Sequence, residues 1–547
     1  MNFAATLTSR LCAATAGRLT KRMLMPAAIA LLTLGGPQGA AAGVTAFKQA
    51  VAEGAARDDD LSAYYRANGY GAIWTGAGEA DRARRQALLQ AIDAAGAHGL
   101  PARRYDAAGL MQMMQGARTP RDLGAVEIAM SRTFLRLAHD MQTGMLTPAS
   151  IDKGMVRKVP TRSADDLLNS FAASNPRGFF RGLVPKSGEY ARLMREKTRL
   201  EGLLATGGWG PTVPALSLAP GQTGADVVAL RNRLMRMGYL PRTASGSYDI
   251  AMQQAVQQFQ EAHGLVPDGT AGESTMVAIN APISQRLPMI LVAMERERWL
   301  SGPRGKRHIL VNLTDFSARI MDDDRLTFET RAVIGKNLST HQSPEFSDEM
   351  EYLEINPVWN VPRSIAVSEY LPQMQRNRGA ARHLKLYNSR GQEVSRANVN
   401  FNAYNARTFP FALKQPPSTR NALGLVKFMF PNKYNIYLHD TPSKSLFQRN
   451  VRAFSHGCIR LQEPFDFAYE LLSRQEDNPK AYFDRIRNSG RQTRVNLEQK
   501  VPVHIIYRTA TVPAKGPTQY RDDIYGRDAK VWDALQKAGV SLPAHQG

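Results

Sequence analysis

From residue 306 the apolar pattern changes period, and that change constrains the fold more than any other feature. In "HILVNLTDFSARIM", Ile309, Val311 and Leu313 fall on one face; Phe316, Ala318 and Ile320 then repeat the spacing of two. That alternation belongs to half-buried strands. "EYLEINPVWNVP", "NIYLHD" and "VPVHIIYRT" read as further strands, and "PFDFAYELLSR" as a helix with Pro464 suited to its first turn. Between them, residues 366–425 are polar, rich in Arg and Asn and poor in strand signals, so they read as an insertion packed over the sheet. The expected unit, 306–507, is mainly β with an inserted capping subdomain.

Upstream the spacing is helical. Residues 43–205 carry Ala-rich amphipathic stretches around 80–98 and 124–142, with Trp74 expected in their core. A Gly/Pro/Ser-rich passage, "TGGWGPTVPALSLAPGQTG", reads as a linker. In 216–281, Val227, Leu230, Leu234 and Met237 recur at helical spacing, and Met252, Val256 and Phe259 repeat it, which describes a small helical bundle. At 547 residues the chain is too long for one ordinary core. The fold class is therefore multidomain α+β, with a C-terminal tail, 508–547, expected to pack on the helical region.

The first residues follow another logic. Arg10, Arg18, Lys21 and Arg22 precede the apolar run "MLMPAAIALLTLGG", and Ala40-Ala41-Ala42 offers a cleavage site. Residues 1–42 thus read as a signal peptide, with a retained anchor as the alternative. The formal charge of +22 loses four basic and no acidic residues with that segment, leaving +18. Such a surface favours anionic partners. Export and the lack of any nucleic-acid motif point to envelope polymers, not nucleic acid.

Only two cysteines occur, Cys12 in the targeting segment and Cys458 in "FSHGCIRL". Once the first is removed, the second has no intramolecular partner. It must be inert, joined to another chain, a metal ligand with His439 and His456, or a nucleophile. A nucleophilic thiol needs a base or cation nearby. His456 would share a face with Cys458 in an extended segment, and His439 ends a strand fifteen residues before Ser455. The amides of Gly457 and Cys458 could serve an oxyanion, and Arg460 adds charge that favours a thiolate or holds a carboxylate. A live site of this kind is expected to be alkylated faster, and at lower pH, than a free thiol.

"HDTPSKSLFQRNVRAFSHGCIRL" resembles the signature of the L,D-transpeptidase catalytic domain: a histidine, a loop, then Ser/Thr-His-Gly-Cys. "VIGK", "INPVWNVP", "NALGLVKFMFPN" and "YLHDTP" match in order, while Ser343 and Ser418 stand where that family usually has Thr and commonly has Gly. "GADVVALRNRLMRMGYL…AVQQFQEAHGLVPDGTAGEST" is similar to the peptidoglycan-binding module of wall enzymes, a three-helix fold. The resemblance implies a large, periplasmic, scaffold-bearing L,D-transpeptidase, a monomer that needs no cofactor. It implies that Cys458 attacks the carbonyl after the third residue of a tetrapeptide stem, commonly meso-diaminopimelate. D-alanine would leave, and a second stem would resolve the thioester in a 3→3 cross-link. Water as acceptor would make a carboxypeptidase, cleavage of a cross-link an endopeptidase, and a degenerate site a mere wall-binding protein. The resemblance assigns His439 as general base and acid, oriented by the neighbouring Asp440 region through a main-chain carbonyl, and His456 with Gly457 to the oxyanion site. Arg460, Ser455, Trp359, Asn360 and Tyr437 fall to substrate binding. Stem peptides, and possible contacts with other wall-synthesis enzymes, complete the implied partners, and carbapenems are implied to acylate Cys458.

Overall fold

The computed structural model describes residues 38–543, with side chains from 45 onward. The signal-peptide reading of 1–42 thus falls outside the described residues, apart from the start of a helix, Gln38–Ala55. Helices Glu79–Asp93 and Pro120–Thr143 match the two amphipathic stretches. The longer begins at a capping box in which the Thr119 hydroxyl and the Asp122 carboxylate reciprocate, with Pro120 in the first turn. Trp74 is fully buried and packs on Phe134 and Phe171. Its indole N–H donates to Ser131, so the core placement is complete down to the polar atom.

Helices Ala225–Met237, Ile250–Ala262 and Glu273–Asn280 enclose a separate small core that includes Val227, Leu230, Leu234, Met252, Val256 and Phe259. The unit from residue 306 is built on a nine-stranded sheet. Its strands are β1 (Arg307–Asn312), β2 (Ser317–Asp322), β3 (Arg325–Gly335), β4 (Phe346–Ile355), β9 (Val426–Met429), β10 (Leu438–His439), β11 (Ala453–Ser455), β12 (Ile459–Leu461) and β13 (Thr493–Ile506). The order is β11-β3-β12-β10-β9-β4-β13-β1-β2, and β2 also pairs with β3, closing the sheet on itself. Helix Pro464–Leu472 sends Phe467, Ala468 and Leu471 into the same core.

The inserted segment is more ordered than its composition suggests. β5 (Trp359–Asn360), β6 (Lys385–Tyr387), β7 (Glu393–Val394) and β8 (Ala412–Gln415) form a second sheet in the order β5-β8-β6-β7. Trp359, Leu371, Met374, Leu386, Phe401 and Phe409 give it a core of its own. Strands of two to four residues are too short to show a period, and this is why the sequence reads as strand-poor. The subdomain also starts earlier than residue 366, because β5 belongs to it.

A second surprise is helix Ile283–Arg298, whose last four residues, Glu295, Arg296, Glu297 and Arg298, are all buried. Four consecutive charges normally mark a solvated surface. Here every one is paired. Arg296 binds Glu345 at 2.6 Å and Asp528 at 2.7 Å. Arg298 binds Glu295 at 2.9 Å, and Glu297 takes Arg304 at 2.7 Å together with Arg508. Arg508 reaches on to Glu189 at 2.6 Å, in helix Gly188–Ala205, so the network joins the helical region, the sheet and the C-terminal tail. Val531 and Leu535 of helix Arg527–Lys537 share a core with Leu193 and Leu200.

Removing one partner of a buried pair strands the other charge, which costs about 3–5 kcal/mol. Glu345→Ala would leave Arg296 with Asp528 alone, and Arg527, 3.3 Å away from Glu345, with only Asp152 at 3.9 Å. It is expected to lower stability at least that much, read as a depressed midpoint in thermal unfolding. A change below 1 kcal/mol would mean the cluster is not holding the domains together.

Candidate active site

Two short parallel strands build the site. In the β10–β12 pair Leu438 lies opposite Ile459 and His439 opposite Arg460, and the Ile459 amide donates to the Tyr437 carbonyl at 3.1 Å. Opposed residues share a face and successive ones alternate. Leu438 and Ile459 therefore enter the core, while Tyr437, His439, Cys458 and Arg460 line the opposite face. The Tyr437 and His439 rings sit 5.6 Å apart.

Cys458 is a half-buried free thiol that donates to the Asn435 carbonyl at 3.5 Å. Tyr437 offers its sulfur both the phenol O–H and the backbone N–H, and Lys427 and Arg460 add positive charge. Burial outweighs these and pushes the thiol above its ordinary value. His439 is buried; burial first and Arg460 second push its imidazole down to about 3. Its Nδ1 lies 2.5 Å from the Asp440 carbonyl, which can only accept, so Nδ1 carries the proton and Nε2 is the basic nitrogen. The resting pair is a thiol and a neutral imidazole. Enhanced alkylation at low pH, expected from the sequence, does not fit this environment.

The Asp440 main-chain carbonyl faces His439 as the sequence led us to expect, and other assigned roles change. The Asp440 carboxylate does not touch His439: it accepts from the Leu425 amide at 2.9 Å, the Thr441 amide at 2.7 Å and Lys444 at 2.7 Å. Orientation of the imidazole falls to its backbone carbonyl. Gly424, at φ +61°, passes so close that a Cβ would lie 2.2 Å from that carboxylate. Gly457 adopts φ +117°, so residues 455–458 are turned, not extended. Its amide donates to Ser455 Oγ at 3.1 Å and is not free for an oxyanion. The N–H at the sulfur is that of Tyr437 instead. Ser455, assigned to substrate, is buried and donates to the Cys458 carbonyl at 2.5 Å, holding the turn.

The turn also swings His456 away from Cys458 toward the cap, where Nε2 lies 2.5 Å from Glu369 and the ring lies 4.5 Å from His341. It shapes no oxyanion pocket here. Among the described residues no group of three or more His, Cys, Asp or Glu side chains could hold a metal ion, which leaves the metal reading of His439, His456 and Cys458 without support. Trp359 is buried in the cap core, edge-on to Tyr370 at 6.1 Å, and Asn360 is exposed beside it on β5, so neither joins the reactive face. Arg460 does. Its buried Nε has no partner, leaving its charge beside Cys458 uncommitted to any carboxylate among the described residues.

Two residues were missed. Lys427 on β9 lies opposite His439, and its ammonium sits 4.2 Å over the Tyr437 ring. The alternation of "VKFMF" would have put it on a polar face. Ser343, read only as a departure from pattern, donates to the Gly457 carbonyl at 2.7 Å and fixes the turn before Cys458.

With this geometry in hand, comparison decides the class. Residues 306–505 match the family model of the L,D-transpeptidase catalytic domain. They are an L,D-transpeptidase catalytic domain. Residues 59–196 match a scaffold domain and 223–279 a peptidoglycan binding domain, so three matched segments follow one another in a multidomain α+β chain. A curated Haemophilus influenzae (strain ATCC 51907 / DSM 11121 / KW20 / Rd) protein carrying the L,D-transpeptidase name is 27% identical over 254 residues, 45% of this chain. The chain spans about half of that relative's length, 51%. A solved L,D-transpeptidase fragment, residues 123-326 from Xylanimonas cellulosilytica DSM 15894, is 17% identical. It covers 54% of this chain and 98% of its own, with a TM-score of 0.16, too low to carry any argument.

The pH behaviour follows from the two shifts. Iodoacetamide is expected to alkylate Cys458 more slowly at pH 7 than a free cysteine peptide, with a midpoint above the ordinary value of about 8.5. Faster alkylation than the peptide at pH 6 would show a preformed thiolate and contradict the neutral pair.

Proposed function

We propose that this protein is a peptidoglycan L,D-transpeptidase that forms 3→3 cross-links through a thioester on Cys458, outside the cytoplasm. The observation that carries the reading is the shared face of Cys458, Tyr437 and His439, with Nε2 of a neutral, backbone-oriented imidazole as the free base. His439 Nε2 takes the thiol proton as sulfur attacks the carbonyl after the third stem residue. The Tyr437 amide offers a donor to the oxyanion. The same proton then passes to the departing amine, and D-alanine leaves. In the second half His439 accepts a proton from the incoming amine of another stem, and returns it to sulfur as the amide forms. No proton or bond is left over, and the thioester conserves the energy of the broken amide.

The test is mass spectrometry of the protein with disaccharide-tetrapeptide, beside a Cys458→Ala control. A cross-linked dimer lighter by one alanine, absent from the control, is expected. Tripeptide alone would mean that water is the acceptor and the protein is a carboxypeptidase; unchanged tetrapeptide would overturn the enzymatic reading. His439→Gln is expected to reduce D-alanine release by about 10²–10⁴-fold, the usual contribution of a general base.

A further inference from the structure

The reactive face continues beyond the nucleophile. Across the sheet, Arg460 on β12 lies opposite His439 on β10, His439 opposite Lys427 on β9, and Lys427 opposite Glu354 on β4. These four side chains form one row on the face away from Leu353, Val426 and Phe428, which are core. Glu354 and Lys427 face each other at 3.5 Å and remain partly open, at 19% and 15% side-chain exposure. The Lys427 ammonium rests on the Tyr437 ring, whose hydroxyl reaches the Cys458 sulfur. One aromatic ring therefore separates the nucleophile from a loosely matched cation and anion.

We infer that Lys427 and Glu354 read the side chain of the donor's third residue, selecting one that ends in an α-amino-acid head group. This rests on the transpeptidase reading above. A head group of that kind presents a carboxylate and an ammonium on one carbon. Lys427 takes the carboxylate and Glu354 the ammonium, so an alternating four-charge array replaces the loose pair. Reach agrees: an extended side chain of three methylenes places its terminal carbon about 6 Å from the acyl carbon, comparable with one ring's span from sulfur. Tyr437 is then the floor under that side chain as well as a donor to the sulfur. A carboxylate bound to Lys427 alone, or an ammonium bound to Glu354 alone, leaves the other charge facing its old partner. The pair thus favours the zwitterion over either single charge.

The test uses the full protein with tetrapeptide donors carrying diaminopimelate, lysine or norleucine at the third position. The readout is kcat/KM for D-alanine release. The wild type is expected to rank them in that order, each step about tenfold. Lys427→Gln should collapse the diaminopimelate-over-lysine preference, and Glu354→Gln the lysine-over-norleucine preference, each to within about twofold. Equal losses on all three donors would show a merely structural or electrostatic role and overturn the assignment, as would unchanged preferences. If the wild type releases D-alanine from none of them, the transpeptidase reading itself falls and this inference with it.

Discussion

The buried charge cluster at the end of helix Ile283–Arg298 is the constraint on which the rest of the molecule depends. Arg298 pairs inside the helix with Glu295, but Arg296 and the Arg508 bound to Glu297 draw their further carboxylates from three other parts of the chain. Glu345 enters the sheet, Asp528 belongs to the C-terminal helix, and Glu189 opens a helix of the scaffold region. Desolvation makes each of these groups unwilling to be buried alone, which turns the cluster into a requirement that the three parts dock together. Burial pushes the Asp528 carboxyl up to about 6 even with Arg296 beside it, a measure of how dry the seam is. The same seam reaches the active site, because Arg527 donates to the Ser343 carbonyl at 3.0 Å and Ser343 in turn holds the Gly457 carbonyl. A short chain of hydrogen bonds thus joins this seam to the turn that carries Cys458.

The site itself uses dryness differently. A thiolate and an imidazolium would each be costly on this half-buried face, and the structure stabilises neither at rest. It supplies a tautomer fixed by a carbonyl, a base that stays neutral down to low pH, and donors at the sulfur that strengthen only as negative charge develops. In the proposed reaction, charge separation is deferred to the transition state, where preorganised donors contribute most. Burial is the first cause of both shifts; the cationic row of Arg460 and Lys427 adds to the lowering at His439 and partly offsets the raising at Cys458.

Much of this was legible in the sequence. The period change at 306 located the sheet, and the helical spacing of Val227 to Phe259 located the small module. Cys458, His439, Arg460 and Tyr437 fall on one face as strand alternation requires. What the sequence hid has physical causes. Strands of two residues carry no period, so the cap looked irregular. The four charges ending helix Ile283–Arg298 look solvated until their partners, hundreds of residues away, are known. Extending Ser455–Cys458 placed His456 beside the sulfur, but Gly457 at positive φ turns it toward Glu369. Ser455 reads as a free hydroxyl in the motif, whereas both its bonds are spent inside the turn. Lys427 was visible in alternation, yet its relation to His439 appears only once β9 and β10 are paired.

The central claim is that Cys458 carries the acyl group between donor and acceptor. Acid-quenched intact-mass and peptide-mapping spectra of the protein, taken within the first turnovers on tetrapeptide without acceptor, test it most directly. The account predicts a tripeptide adduct, equal to the donor less alanine, on the peptide containing Cys458. An adduct on any other residue, or D-alanine release with no covalent intermediate that persists in Cys458→Ala, would contradict it.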